Sequence, residues 1–523
     1  MTSQRPLVVT RRWDQLGGRL CAIINARSIA ELLDLEFRFV WPRGPEPAMS
    51  DPRQIFSQSF LDTFEIEPAE LENRPVVRHH ELISLSRADA RRALGADAFV
   101  EVNEVFGVIS GPSEGIAAAR TRYRRCYREI GWSDDVRRLA DLCSSLPGDQ
   151  PIAGIHVRAG DIVTGGWRHV VAHEKYSPTP FIEYAIDQLA HDGDKPVLVL
   201  SDNGQYLAWL KDRFPTVLAA ADVVPGYAQL PEVQQALADI FVLSACEPII
   251  GPPSSSFSRL AANLGPGELR PADTVAPAGQ ECAVLCAGIA AHRQDAATAR
   301  FWRGLVARDI CWCLDVFADT LALDEQHQLA GWAVELDPDF LGAHTRFARI
   351  ASLAGDWRPA RIAVARAIEI AASAERYDDP LMEALITDVV CRCLAAVRGR
   401  RPRHACGDVH QTLDRCLELH PVWLARDETA AREEIFGSLR FMLTVAERLS
   451  EGTRAVRKRA ARSLAEARYD DLDLARLRPD GLQQHRSAAM YDPLVRDLER
   501  MALHLYDAVH RAGVAVGAPS LSR

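Results

Sequence analysis

The 523-residue sequence predicts an α/β protein with an all-α final third: two α/β lobes, then a helical-repeat region. Three observations predict it. Residues 6–41 run strand pattern, glycine pair, helix pattern and strand pattern, which is a βαβ unit. Residues 150–288 repeat the alternation, with short apolar runs that each end in a polar or glycine-rich turn. Beyond about residue 298, strand patterns cease and helical spacing takes over. The implied domains are 1–149, 150–290 and 298–523.

Hydrophobic residues make up 48% of the chain and charged residues 25%, enough apolar matter to bury a core in each domain. A net charge of −10 argues against a nucleic-acid partner. No apolar run approaches the roughly 20 residues that span a bilayer. Residues 1–12 lack the hydrophobic run of a signal peptide, so the expected location is cytoplasmic. The twelve cysteines form no CxxC pair. Cys311/Cys313 and Cys391/Cys393 are CxC pairs in helical patterns without histidines at zinc-finger spacing, and they read as buried free thiols.

In the first lobe, residues 6–10 (PLVVT) form a strand, residues 21–35 an amphipathic helix and residues 37–41 a second strand. Gly17 and Gly18 precede that helix, where a bare backbone admits an anion or a sugar, or simply makes a tight turn. Residues 76–80 read as a strand. The basic run 120–128 (RTRYRRCYR) reads as the solvated face of a helix.

The second lobe centres on residues 151–157, a buried strand that ends in Arg158-Ala159-Gly160-Asp161. His156, Arg158 and Asp161 then stand at the carboxyl edge of a sheet, where open α/β folds bind ligands. A planar guanidinium such as Arg158 clamps two phosphate oxygens at once. A loop over 164–177 follows, with His169, His173, Glu174 and Lys175. Residues 196–200 make another strand, ending in Ser201-Asp202-Asn203-Gly204. Residues 248–250 make a third, and Gly251 to Ser258 then turn into a helix over 259–264. Serines at a helix start combine capping hydroxyls, unpaired N–H groups and the positive end of the dipole. That suits a phosphate without a metal, or plain capping.

In this order the motifs resemble those of the α1,2-fucosyltransferases and, more widely, the α1,6- and protein O-fucosyltransferases. His156-Val157-Arg158-Ala159-Gly160-Asp161, Leu200-Ser201-Asp202-Asn203 and Ser255-Ser256-Phe257-Ser258 carry the resemblance. Gly17-Gly18-Arg19-Leu20 is similar to the family's glycine-rich N-terminal turn. The resemblance spans residues 6–290 and is strongest over 150–265. It implies a GT-B-like pair of Rossmann-type lobes and metal-independent, inverting transfer of fucose from GDP-fucose to an acceptor hydroxyl. It further implies that Arg158 holds the β-phosphate with His156 beside it, that Ser255 and Ser256 meet the phosphates, and that Asp202 lies near guanine or ribose. Asn203, Phe257, Gly17 and Gly18 complete the implied donor-binding set. Asn203 stands where the family usually has a second Asp, Gly18 replaces its Asn, and Arg259-Leu260 replace two tryptophans.

Such a transfer expels a nucleoside diphosphate, and fixed positive charge must meet the leaving group as its own charge develops. Arg158 and the serine-tipped helix fill that role. Asp161, His173 and Glu174 are candidates for the base that takes the acceptor proton, with Glu174 preferred. Asp337-Pro338-Asp339 and Asp471-Leu472-Asp473 read as turns in the helical tail, so no metal and no cofactor beyond the donor is assigned.

In that tail, Glu335 and Glu369 stand 34 residues apart in similar surroundings, the tetratricopeptide period. Gly355-Asp356-Trp357 fits the turn between paired helices, and residues 415–421 read as a degenerate third copy. Repeats of this kind stack on their neighbours and offer a surface to a protein acceptor, a partner or a second copy. Two further readings stay open: a catalytically inactive nucleotide-binding interaction protein, and a transferase for another nucleotide sugar.

Overall fold

The computed structural model describes residues 6–373 except 14, 44–50, 96, 106, 112–113, 145–151, 166–167, 170–174, 191–194 and 296–298, together with a few residues between 384 and 391. The chain divides into two compact units, Met1–Arg158 with Ile182–Val275, and Ala159–Phe181 with Ala276–Arg523.

The first unit holds two sheets. One contains β1 (Leu7–Thr10), β2 (Glu36–Phe39), β3 (Val76–Arg78) and β4 (Phe99–Glu101) in the order β2-β1-β4-β3. The other contains β5 (Ala153–Val157), β6 (Val197–Ser201), β7 (Val217–Leu218), β8 (Ile249–Ile250) and β9 (Leu269–Arg270) in the order β7-β6-β5-β8-β9. Every pairing is parallel. Parallel neighbours need crossovers, which is why helices separate the strands. In the first sheet the helices are α1 (Leu16–Leu33), α2 (Gln58–Phe64), α3 (His79–Leu82) and α4 (Arg87–Ala93). α5 (Ile116–Arg128) and α6 (Asp134–Ser144) lead to β5, and α7 (Thr179–Ala190), α8 (Gly204–Arg213), α9 (Ala220–Val223), α10 (Glu232–Ser244) and α11 (Ser256–Leu264) serve the second sheet.

The inner strands are apolar on both faces: Val8, Val9, Ile155, Val197 and Val199 are fully buried. Such strands belong in a sheet covered on both sides, which explains their near-continuous hydrophobic runs. One hydrophobic cluster runs from Leu20 and Ile24 of α1 to Leu237 of α10 and Leu260 of α11, so helices of both sheets share a core.

The basic helix α5 corrects the sequence reading. Arg122 is buried, donating to Ser28 Oγ at 2.8 Å and the Ile109 carbonyl at 2.8 Å and pairing with Glu114. Arg124 donates to the carbonyls of Asn263 and Gly265 at the end of α11, and Arg125 pairs with Glu31 of α1. Arg120 and Arg128 are exposed. The period-3.6 pattern was legible, but the carbonyls at the ends of other helices were not.

The second unit contains α12 (Glu281–Asp295), α13 (Arg300–Val316), α14 (Leu323–Leu336), α15 (Leu341–Ala354) and α16 (Trp357–Ser373), each packed on the next. α15 ends at Gly355, which takes the left-handed φ of 90° that an L side chain resists. Its N–H and that of Asp356 close back on the carbonyls of Ser352 and Ala351, as a glycine-terminated helix does. Glu335 and Glu369 fall near the ends of α14 and α16; residues 415–421 and 471–473 lie outside the described residues. Among the described residues, no helix is long and apolar enough to cross a membrane.

Arg308 of α13 is 2% exposed and organises this unit. It donates to the carbonyls of Ile162 at 2.8 Å and Arg168 at 2.7 Å, meets Asp337 at 3.2 Å and lies over the Phe340 ring at 4.1 Å. Tyr176 and the Thr179 N–H both donate to the buried Asp309. The loop after β5 is thereby pinned to the helices. Asp337 and Asp339 are spent in ion pairs, the latter with Arg366 at 2.8 Å.

Candidate functional site

The strand order makes β5 the point where the chain reverses across the second sheet, with β6 on one side and β8 on the other. The crevice outside the carboxyl ends of such strands is the ligand position of open α/β sheets. His156 is the penultimate residue of β5, and Arg158 follows its end. β8 ends at Ile250, paired in register with Ile155. The turn after it carries the serines, so His156 and Arg158 stand at the same carboxyl edge of the sheet as Ser254, Ser255 and Ser256, on neighbouring strands.

Ser255 is the N-cap of α11, its hydroxyl accepting from the Ser258 N–H at 3.5 Å. Ser258, fully buried, shares a 2.7 Å hydrogen bond with His156 Nδ1. The imidazole also stacks on Phe257, with ring centroids 4.7 Å apart and planes at 26°. A methyl group on Gly251 would stand 3.0 Å from Ser258 Oγ and 3.1 Å from the His156 carbonyl, so a bare backbone is what lets β8 turn here. His156 therefore braces the first turn of α11. Arg259 folds back on the same turn, donating to the Pro253 carbonyl.

Burial pushes the His156 pKa down to about 4; Asp202 opposes this and Arg158 adds to it. The imidazole is neutral near pH 7, and positive charge at this edge comes from Arg158. The unfolded imidazole titrates near 6.5 and the folded one at about 4, so between those values the unfolded chain binds the extra proton. The stability conferred is complete above pH 6.5 and is lost as pH falls toward 4, with about 3 kcal/mol at stake. Urea unfolding at pH 7 and pH 4.5 is expected to show that loss in the wild type and a smaller one in His156→Gln. Equal losses in both proteins would contradict a neutral, buried His156.

Ser254 was not singled out by the sequence reading. It is 7% exposed, and its buried Oγ has no hydrogen-bond partner among the described residues. A buried hydroxyl without a partner is costly, and a ligand oxygen would satisfy it. Ser258 carries no local sequence signal of its role, which depends on His156, 102 residues away.

The remaining expectations fare differently. Gly17 and Gly18 lie inside the first turn of α1, which begins at Leu16, and both are buried. A Cβ on Gly17 would come within 3.1 Å of the Phe257 backbone. The bare backbone of Gly17 permits the close approach of α1 to the start of α11. Asn203 caps α8 through a 2.9 Å bond from the Tyr206 N–H, so its side-chain oxygen is committed to the helix, while Asp202 beside it is exposed. Asp161 belongs to the second unit, in the turn closed by the Gly160 carbonyl. Glu174 and His173 lie outside the described residues. His169, on the same loop, is held at about pKa 4 by burial and by Arg168 and Arg308.

At the carboxyl end of β4 stands a group that the sequence pattern did not flag. Glu101, 5% exposed, is paired with Arg11 at 2.6 Å and Arg78 at 2.7 Å, residues that follow β1 and end β3. Its only sequence signal is a carboxylate closing an apolar strand.

No protein-family model matches the chain, and no curated protein does. Among solved structures, the chain is similar to the fucosyltransferase NodZ from Bradyrhizobium, with 19% identity and a TM-score of 0.32 over 50% of this chain and 94% of that one. It is similar to POFUT1 in complex with GDP, with 12% identity and a TM-score of 0.32 over 52% and 99% of the two chains. A mutant Arabidopsis thaliana FUT1 in complex with GDP gives 15% identity and a TM-score of 0.35 over 51% and 70%. Nothing functional follows from likenesses this distant.

Proposed function

We propose that the chain is a glycosyltransferase that takes a nucleotide sugar, GDP-fucose, and transfers the sugar to an acceptor hydroxyl with inversion. The supporting observation is the tip of α11. Its N-terminal N–H groups and the unpartnered buried hydroxyl of Ser254 follow β8, and Arg158 follows the neighbouring strand β5, so the switch point between these strands offers all three to one ligand in this reading. Helix dipole, hydroxyl and guanidinium together suit a diphosphate. The contact between Gly17 of α1 and Phe257 of α11 supports a GT-B-like arrangement, because it joins the helix starts that follow β1 and β8.

In this reading the acceptor oxygen attacks the anomeric carbon as the bond to the diphosphate breaks. Arg158 and α11 stabilise the charge that accumulates on the departing phosphate. His156, neutral and hydrogen-bonded to Ser258, keeps the helix tip in place and carries no proton in the step. Glu174 remains our choice for the base that accepts the acceptor's proton. The helical unit docks a protein acceptor or a second copy.

A thermal-shift panel of GDP, UDP, ADP and their sugars tests the assignment. GDP and GDP-fucose are expected to raise the melting temperature by several degrees, with about 2.7 kcal/mol of stabilisation at a hundredfold excess over Kd. A shift with UDP or ADP only would replace the donor, and no shift with any nucleotide would end the reading. Nucleotide binding without transfer is favoured by one observation, the engagement of Asn203 in capping α8. Turnover of GDP-fucose decides between the two.

A further inference from the structure

α12 carries Cys282 and Cys286 four residues apart, on one face of the helix. α13 packs against α12 and brings Cys313 to the same place. The Cys286 sulfur lies 4.0 Å from that of Cys282 and 3.8 Å from that of Cys313. All three sulfurs are within 4.8 Å of one another. They are free thiols, Cys313 buried and the other two half-buried.

These separations distinguish between two chemistries. A disulfide brings its sulfurs to about 2.05 Å, so no pair here is bonded. A tetrahedral zinc ion with Zn–S bonds of about 2.3 Å sets its sulfurs about 3.8 Å apart. Both separations are close to that edge. Sulfur ligands select a soft or borderline cation over magnesium or calcium. Two ligands from one helical turn and a third from the neighbouring helix give a pyramid of three, with one corner left for water. Glu325 at the start of α14 adds negative charge that acts on both Cys282 and Cys286.

We propose that Cys282, Cys286 and Cys313 bind one zinc ion that ties α12 to α13. The site is independent of the donor-site reading. CxC spacing drew attention to Cys311 and Cys313 as a pair, but the members of the cluster are CxxxC on one helix and a single thiol 27 residues further on.

The full-length chain, reduced and stripped of metal by a chelator, is titrated with Co2+ and then with Zn2+. The expected result is a sulfur-to-cobalt charge-transfer absorption that saturates at one equivalent and disappears when Zn2+ is added. Zn2+ also raises the melting temperature, since it binds the folded chain. Cys282→Ser and Cys286→Ser, at the half-buried positions, bind Co2+ at least about tenfold more weakly. Cys311→Ser and Cys246→Ser bind as the wild type does. Should Cys313→Ser fail to fold, the two half-buried variants still decide. Absence of the absorption, or its persistence at full strength in both Cys282→Ser and Cys286→Ser, overturns the proposal.

Discussion

Asp315→Ala is expected to destabilise the helical unit by about 3–5 kcal/mol. Asp315 on α13 has a side chain 1% exposed and faces two arginines of α15. Arg346, 7% exposed, reaches both carboxylate oxygens, through Nε at 2.9 and 2.8 Å and through Nη2; Arg349, 8% exposed, approaches at 3.6 Å. Removing the carboxylate leaves two buried guanidiniums without this counter-charge. Unlike a lysine, an arginine has no accessible neutral form to retreat to. The fall in melting temperature is expected to be on the order of 10 °C.

The triple variant Asp315→Leu, Arg346→Met, Arg349→Leu removes the charges together and is expected to lose much less, because desolvation roughly cancels attraction in a buried pair. Thermal unfolding of the single and triple variants measures the difference. A single variant within about 1 kcal/mol of the wild type would show that water reaches the pair.

What could be read from the sequence divides along physical lines. The parallel sheets were legible because β1, β5 and β6 are buried on both faces and so appear as short, mostly apolar runs, His156 being the polar exception inside β5. The edge that carries Arg158 and Ser255 was legible because a strand followed by a polar turn has one place to go in such a sheet. Ser254 and the brace from His156 to Ser258 were not, since they depend on a register between β5 and β8 that no local pattern encodes. The loop over 164–177 reads in the sequence only as a Gly- and His-rich connection facing the cleft. Its described part is instead gathered by Arg308 and Asp309, residues of α13 more than a hundred positions away. The arginines of α5 misled for the same reason. Composition records charge, whereas the carbonyls of Ile109, Asn263 and Gly265 that accept it appear only in three dimensions.

In the proposed transfer, Arg158→Ala is expected to lower turnover of GDP-fucose about 100- to 1000-fold, the size of effect seen when one group facing developing charge is removed. The residue sits at the end of β5, half-buried, and its charge already acts on His156. A guanidinium there gives two parallel hydrogen bonds to a phosphate, and a lysine gives a point charge. Arg158→Lys is therefore expected to recover only part of the rate. Two readouts separate this role from a structural one. A donor-binding arginine leaves the ligand-free melting temperature nearly unchanged and abolishes most of the stabilisation by GDP. A structural arginine does the reverse, lowering the melting temperature of the empty protein while GDP still shifts it. Undiminished turnover in Arg158→Ala would remove the guanidinium from the mechanism and leave the tip of α11 to hold the diphosphate alone. That is an arrangement in which Ser254→Ala, which deletes the unpartnered hydroxyl, becomes the more damaging change.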